Sequence, residues 1–333
     1  MSEAPDRLYQ MIAGFRVTQM VRAAALLGIC DALGNRRRES GGIAAEVGAD
    51  PGLLQRLMRG LAGIGVLTEE ADGVFANTEL GELLRSDTPG NLRNVAIGLP
   101  SEAWAAWAEF PRGVREGRIP FQLAHGQTLW ELLATDPAKA ASFNAFMASQ
   151  TAIFVPQLLE AFDFTQCARV VDVGGGNGAL IAGVLSAHPS LKGTLFDLEA
   201  GLDGADAYLR ERGVRDRCDL SPGSFFDSIP RGGDAYMLKL ILHDWEDHQA
   251  AEILSTCRRA MEPGSRLLVI DHILPRRALD NPRALVMDMH MYALFGARER
   301  TEDQLRQMLA GAGFQVERVV STSPPSTIVA QAI

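Results

Sequence analysis

Two stretches of the chain carry residues whose types and spacing suit chemistry. The first, LKLILHDWED (residues 238–247), is a strand-like apolar run that stops on His243, Asp244 and Trp245. A neutral imidazole, with an ordinary pKa of about 6.5, can take the proton of a hydroxyl as its oxygen attacks. A carboxylate on the other ring nitrogen fixes the tautomer and stabilises the imidazolium that forms. The second stretch, VVDVGGGNGAL (residues 170–180), follows a strand and opens a helix, so backbone N–H groups face the edge where ligands bind. Read literally, Gly174-x-Gly176-x-x-Ala179 fits a dinucleotide fingerprint as well as a methyl-donor loop. Asp172 favours the second, because its carboxylate would repel a pyrophosphate yet tolerates a ligand carrying an amino group and a sulfonium. The alternate glycines Gly174, Gly176 and Gly178 bend the loop around a nucleoside rather than a phosphate pair. A glycine turn without a ligand is the plain alternative.

Further candidates stand at other strand ends. Asp197 closes GTLFD, where a carboxylate can accept both hydroxyls of a ribose, although a solvated strand end would look the same. In PGSFF (222–226), Phe225 or Phe226 can stack on an adenine and Ser224 can bond its edge; for one phenylalanine, core packing reads equally well. His272 and His290 are runner-up bases, His125 is placed to line or gate a pocket, and Trp245 to pack beside the site. Asp244 and Asp271 near His272 suggest a cation site only weakly, since no ligands gather at metal spacing; no metal is expected.

The elements that must hold these residues change character near residue 165. Before it the pattern is helical: residues 10–33, then 41–79, where Asp50-Pro51 starts a helix and GVL, EEADG and VFAN make a hairpin. Helix, turn, helix and hairpin spell a winged helix. DNA binding is disfavoured, because the presumed recognition helix offers Arg56 and Arg59 among mostly apolar residues; an oligomerisation module with apolar helix faces is preferred. A long helix is expected from about Asp136 to Phe162, kinked or divided at Pro156. From residue 168 strands alternate with helices, which means a parallel sheet with helices on both faces. The last two strands, joined only by TSPP, must form an antiparallel hairpin.

Composition narrows the setting. The 333 residues, 47% hydrophobic, suffice for two cores. No apolar run reaches the roughly 18 residues of a membrane span, and MSEAPDRLYQ lacks the basic start of a secretion signal. The cysteines (Cys30, Cys167, Cys218, Cys257) lie far apart with no CxxC pair, so a reduced, cytoplasmic setting is expected. A net charge of −9 and pI near 5.3 speak against nucleic acid.

VVDVGGGNG, LFDL, PGSFF, LKLILHDWED, VIDHILP and GARERTEDQL stand in the order and spacing of a known family. Over nearly its whole length the chain resembles the S-adenosylmethionine-dependent O-methyltransferases of the plant caffeic acid type and their bacterial relatives, which act on polyketide, phenazine and other aromatic natural products. The resemblance implies an α/β, class I methyltransferase Rossmann-like sheet, mostly parallel with a C-terminal antiparallel hairpin. It implies a helical, winged-helix dimerisation domain at 1–100, a helical pocket-lining region at 101–165 and a donor-binding domain at 166–333. His243 resembles the general base, held by Asp271 and Glu299. Asp172, Gly174, Gly176, Asp197, Leu198, Ser224, Phe225, Lys239 and Thr151 fall at donor positions. Met147 and Gln150 fall at acceptor positions, with Met147 clamping a ring; His125, Asp244 and Met291 are expected to line the acceptor pocket. The family usually has Asp where this chain has Ser224, and often Glu where it has Asp271; the shorter reach makes Glu299 the safer partner of His243.

The expectation is therefore a homodimeric, metal-independent transferase that moves a methyl group onto a phenolic or enolic hydroxyl of an aromatic small molecule in secondary metabolism. The rivals are N-methylation on the same fold, loss of methyl transfer, an NAD-linked dehydrogenase, and a winged-helix regulator that senses a metabolite. A phenol, mostly protonated at neutral pH, needs a base; a nitrogen with a free lone pair does not.

Overall fold

The computed structural model describes residues 3–99, 101–321 and 325–333. The chain divides into two compact units: one reaches to Trp104 and takes in Ala145–Ser149, the other holds Ala105–Asn144 and Gln150–Ile333. The stretch 101–165, expected as a region of its own, is thus shared between them. Its helices over 110–135 group with the sheet because Phe121 and Leu129 are buried in one cluster with Leu294 and Phe295.

In the first unit, helix Glu3–Leu27 stops at Gly28, whose φ of 69° lies in the left-handed region, and helix Ile29–Leu33 follows. The single helix expected over 10–33 is therefore broken. Asp50 caps helix Pro51–Gly63 by accepting the Leu53 N–H, with Pro51 in the first turn. Strands β1 (Arg38–Glu39), β2 (Leu67–Ala71) and β3 (Val74–Asn77) form an antiparallel sheet in the order β1-β3-β2, one strand more than the expected hairpin. Ile29, Leu33, Ile43, Met58, Leu61 and Phe75 fill the core. Leu8, Met11, Ile12 and Phe15, at helical spacing, leave an apolar stripe exposed on the first helix.

The second unit is built on a seven-stranded sheet. Its strands are β4 (Arg169–Val173), β5 (Lys192–Asp197), β6 (Cys218–Pro222), β7 (Ala235–Lys239) and β8 (Arg266–Asp271), then β11 (Phe314–Val320) and β12 (Ser326–Ala332). A separate two-residue ladder pairs β9 (Ile273–Leu274) with β10 (Arg300–Thr301). The order is β11-β12-β8-β7-β4-β5-β6; β4 to β8 run parallel, and β12 is antiparallel to both neighbours. Successive residues feed opposite faces, as the two-residue period requires: Val170 enters one apolar cluster and Val171 the other. Strand order reverses between β5 and β7, on either side of β4, and in such sheets that crevice takes the ligand. Most of the TSPP connection lies outside the described residues.

Helix Pro137–Ala161 runs 25 residues without a break. Of the kink or division expected at Pro156, the division does not occur; the missing N–H removes one bond, and buried Thr151, Phe154, Leu158 and Ala161 anchor both sides of it.

Candidate active site

The glycine loop begins where β4 ends. Gly174, Gly176 and Gly178 all have positive φ (71°, 56° and 83°), conformations a side chain would resist. The Gly174 N–H donates to the Phe196 carbonyl at 2.8 Å, tying the loop to β5. Asp197, half-buried at the end of β5, accepts the Gly176 N–H on Oδ2 at 2.8 Å and the Leu198 N–H on Oδ1 at 2.7 Å. Burial pushes its carboxyl up and the two N–H donors pull it down. Each oxygen keeps a lone pair for a further donor. Leu198 beside it is exposed.

Asp172, read from the sequence as a donor contact, is buried beneath the loop. Its Oδ2 accepts the Ile181 N–H at 3.2 Å in the first turn of helix Ala179–Ala187, where a carboxylate suits the helix dipole. Burial pushes this carboxyl up to about 7. With 1% exposure, the Asp172 side chain packs against the loop backbone rather than opening to solvent. Gly175 marks how tight the packing is: a Cβ there would lie 2.4 Å from Leu195 Cδ1 and 2.6 Å from the Asp172 carboxyl.

At the end of β6, the Ser224 Oγ accepts the Phe226 N–H at 3.2 Å and shapes a turn. The Phe225 ring borders the loop, 3.6 Å from where a Gly174 Cβ would stand. Phe226 lies edge-on to Trp245 with centroids 4.8 Å apart.

The strand leading to His243 is shorter than its sequence suggests. β7 stops at Lys239, and Leu240 adopts φ 54°, the one positive φ among described non-glycine residues. A single 3-10 turn, Leu242–Asp244, then presents His243. The early end of the strand has a physical cause: the Leu240 N–H still donates to the Ile270 carbonyl of β8, but the left-handed residue turns the chain off the sheet edge.

His243 is 7% exposed. Its Nδ1 lies 2.9 Å from Glu299 Oε1 and 3.8 Å from Asp271 Oδ1; its Nε2 lies 3.5 Å from Asp244 Oδ1. Only the Glu299 contact is a hydrogen bond. The β9–β10 ladder explains how a residue 56 positions away arrives: Arg300 pairs with Ile273, so Glu299 comes beside the end of β8. The Asp288 carboxylate accepts the Glu299 N–H at 2.9 Å.

Burial pushes Glu299 up to about 8, with Asp288 adding and Arg300 opposing. Asp271 and Asp244 are raised to about 7, again by burial, against the pull of His243. Lys239 is pushed down to about 8 by burial, opposed by Asp172 and Asp271. Asp271 Oδ1 and Glu299 Oε2 are buried with no hydrogen-bond partner among the described residues.

The runner-up histidines are less suited. Burial pushes His272 down to about 4, and its ring lies 6.4 Å from that of His243. His290, also lowered by burial, accepts the Trp107 indole N–H on Nδ1 at 3.1 Å. His125 ends helix Pro120–His125 against the Phe121 ring, 4.3 Å between centroids. Met291 is buried on helix Pro282–Phe295; Gln150 and Thr151 lie on helix Pro137–Ala161, Thr151 buried. Met147 falls in the 145–149 segment grouped with the first unit. A cavity of about 270 Å³ opens beside Asp244 and Trp245, lined also by Trp130, Leu294 and Phe295. Of the residues expected at the acceptor, Asp244 lines it.

Sequence reasoning missed Arg300, which is 2% exposed. It donates to the Leu242 and Trp245 carbonyls, both at 2.6 Å, and to Asp247 Oδ1 at 3.0 Å. Its place beside Glu299 in RERTE was the available signal.

Comparison with known proteins gives the family. Residues 107–315 match the O-methyltransferase domain model and residues 9–87 the O-methyltransferase dimerisation domain model. A phenazine O-methyltransferase, PhzM of Lysobacter antibioticus, is 39% identical over 97% of this chain and 94% of its own length. An 8-amino-8-demethylriboflavin N,N-dimethyltransferase of Streptomyces davaonensis is 35% identical over 94% of this chain and 91% of its own. The crystal structure of LaPhzM superposes with a TM-score of 0.92 at 38% identity, covering 99% of both chains. With its donor-type glycine loop and buried His243–Glu299 pair, the chain belongs to the O-methyltransferase family.

Proposed function

We propose that the protein transfers the methyl group of S-adenosylmethionine to a phenolic or enolic hydroxyl of an aromatic small molecule in secondary metabolism, with His243 as general base. When bound, the donor supplies an already activated methyl group. The residues fit such a ligand: a Cβ on Gly176 would meet nothing within 4 Å, so the loop leaves room above it. Asp197 has lone pairs free beside the loop, and Phe225 borders it. These would hold the nucleoside, with Lys239 close by.

The observation that carries the reading is the 2.9 Å contact between His243 Nδ1 and Glu299. With Nδ1–H donating to the carboxylate, Nε2 is left bare to accept the hydroxyl proton. With the donor bound, the hydroxyl oxygen would take the methyl group as its bond to sulfur breaks and S-adenosylhomocysteine leaves; the O–H proton would pass to Nε2, and ionised Glu299 would stabilise the imidazolium. Asp244, 3.5 Å from Nε2, stands where it can orient the acceptor.

The exposed stripe on the first helix and the match to a dimerisation domain support a homodimer. Among the described residues no helix is long and apolar enough to cross a membrane. Free thiols at all four cysteines support a cytoplasmic setting, and the acidic net charge speaks against nucleic acid.

The test pairs S-adenosylhomocysteine titration with a screen of phenols and aromatic amines for methyl transfer, using wild type and His243→Ala. Expected are saturable binding by both proteins and loss of nearly all phenol turnover in the variant. An unchanged phenol rate removes the histidine from the mechanism. Methylation of amines alone, indifferent to His243, would replace oxygen by nitrogen as the target.

A further inference from the structure

We infer that Arg300 is a positioning residue for the base, clamping the backbone of the His243 turn and placing a permanent positive charge behind its carboxylates. The inference rests on the reading of His243 as general base. Nη1 and Nη2 donate to the carbonyls of Leu242 and Trp245, which flank the histidine on either side, and Nε donates to Asp247. A guanidinium can hold three such acceptors in one fixed fork; an ammonium cannot. The turn needs holding, because it leaves the sheet through Leu240 at φ 54° and contains a single helical turn. Glu299 and Arg300 are neighbours in sequence, so one short segment fixes both the ring of His243 and its backbone.

A cation 2% exposed carries a desolvation cost, and the two carbonyls with Asp247 offset part of it. The rest is set against charge: Arg300 opposes the upward push of burial on both Asp271 and Glu299. The groups facing the His243–Glu299 pair are Asp271 at the end of β8, Asp288 on helix Pro282–Phe295, Asp244 in the turn and the His272 ring; Lys239 acts on Asp271 from β7. Loss of the guanidinium charge raises the proton affinity of the pair, whichever member takes the proton. The acidic limb of the rate profile then moves to higher pH.

The experiment compares wild type, Arg300→Lys and Arg300→Met for kcat, KM and the pH dependence of kcat on one phenolic acceptor, with S-adenosylhomocysteine affinity as the check on folding. The Met variant should retain donor affinity within about 2-fold, lose at least about 30-fold in kcat and shift the acidic limb up by about one pH unit. The Lys variant should keep the limb, since it keeps the charge, and lose about 10-fold in kcat because it cannot hold both carbonyls. A Met variant with an unmoved limb overturns the inference, whatever its kcat. If that variant fails to bind the donor product, the Lys variant decides: wild-type kcat overturns the inference, and a fall in kcat with KM held supports it. Should His243→Ala stay active, the base assignment itself falls; if that variant is dead while Arg300→Met is not, the role of Arg300 alone is lost.

Discussion

Replacing Glu299 by Gln tests the centre of the mechanism with almost no change in volume. The carboxylate lies 2.9 Å from Nδ1, its side chain fully buried, so it faces the imidazolium that forms as the hydroxyl is deprotonated. With charge centres about 4 Å apart and an effective dielectric of about 20, that attraction is worth about 4 kcal/mol. Measured above pH 8, where Glu299 is ionised, loss of that attraction from the transition state alone lowers kcat by nearly three decades, at roughly 1.4 kcal/mol per decade. S-adenosylhomocysteine affinity should not change, since the hydrogen bonds of Glu299 among the described residues go to His243 and Asp288, not to the glycine loop. Stability should move the other way. Burial holds the Glu299 carboxyl up at about 8, so above that pH the folded protein carries an anion that a neutral amide avoids. At pH 9 the variant should melt higher, by about 2 °C for each kcal/mol relieved. Mass-spectrometric methyl transfer, calorimetry with the donor product and thermal melting cover the three quantities. A variant within about tenfold of wild-type kcat would refute the charge argument. A lower melting point at pH 9 would show that the ionised carboxylate is better compensated than its burial implies.

Two further outcomes follow from the same packing and charges. Gly175→Ala places a methyl group 2.4 Å from Leu195 Cδ1 and 2.6 Å from the Asp172 carboxyl, so overpacking of about 1–3 kcal/mol should weaken S-adenosylhomocysteine binding by about fivefold or more; wild-type affinity would mean the loop is slack. The ligand-free protein should lose stability as pH rises through 7 to 8. Asp172, Asp244 and Asp271 sit at about 7 and Glu299 at about 8, all above their unfolded values near 4, so the folded state binds the extra protons and their contribution is spent above that window. Urea unfolding at pH 5.5 and 8.5 checks the sign, and greater stability at 8.5 would contradict it.

The parts of the fold legible in the sequence are those written in one local segment. Short segments rich in apolar residues, RVVDV, KGTLFD, AYMLK and RLLVID, mark β4, β5, β7 and β8, and Asp50-Pro51 marks a helix start, because pattern and cap act within a few residues. The glycine loop is legible for the same reason: three alternate positive φ values demand three alternate glycines. The turn at Leu240 is not, since a leucine in the left-handed region carries no mark of it, and LKLIL reads as strand up to the histidine. Asp172 announces its type but not its direction: a carboxylate capping the first turn of a buried helix and one facing a ligand look alike in sequence.

Choosing between Asp271 and Glu299 as partner of His243 shows where local reading ends. Asp271 sits at the end of a seven-stranded sheet, predictable from its strand, yet its Oδ1 stops 3.8 Å from Nδ1. Glu299 has the longer side chain, but what delivers it is a ladder two residues long, β9 against β10, with no periodicity to read. The same ladder carries Arg300 to the backbone of the turn. A buried arginine is rare enough that sequence reasoning assigns it to the surface by default. Two carboxylates beside one imidazole cannot both ionise cheaply, so the one that holds the hydrogen bond governs the charge of the other. Side-chain reach hinted at Glu299; the geometry that makes it the partner is set by pairing between segments 27 residues apart, Ile273 with Arg300.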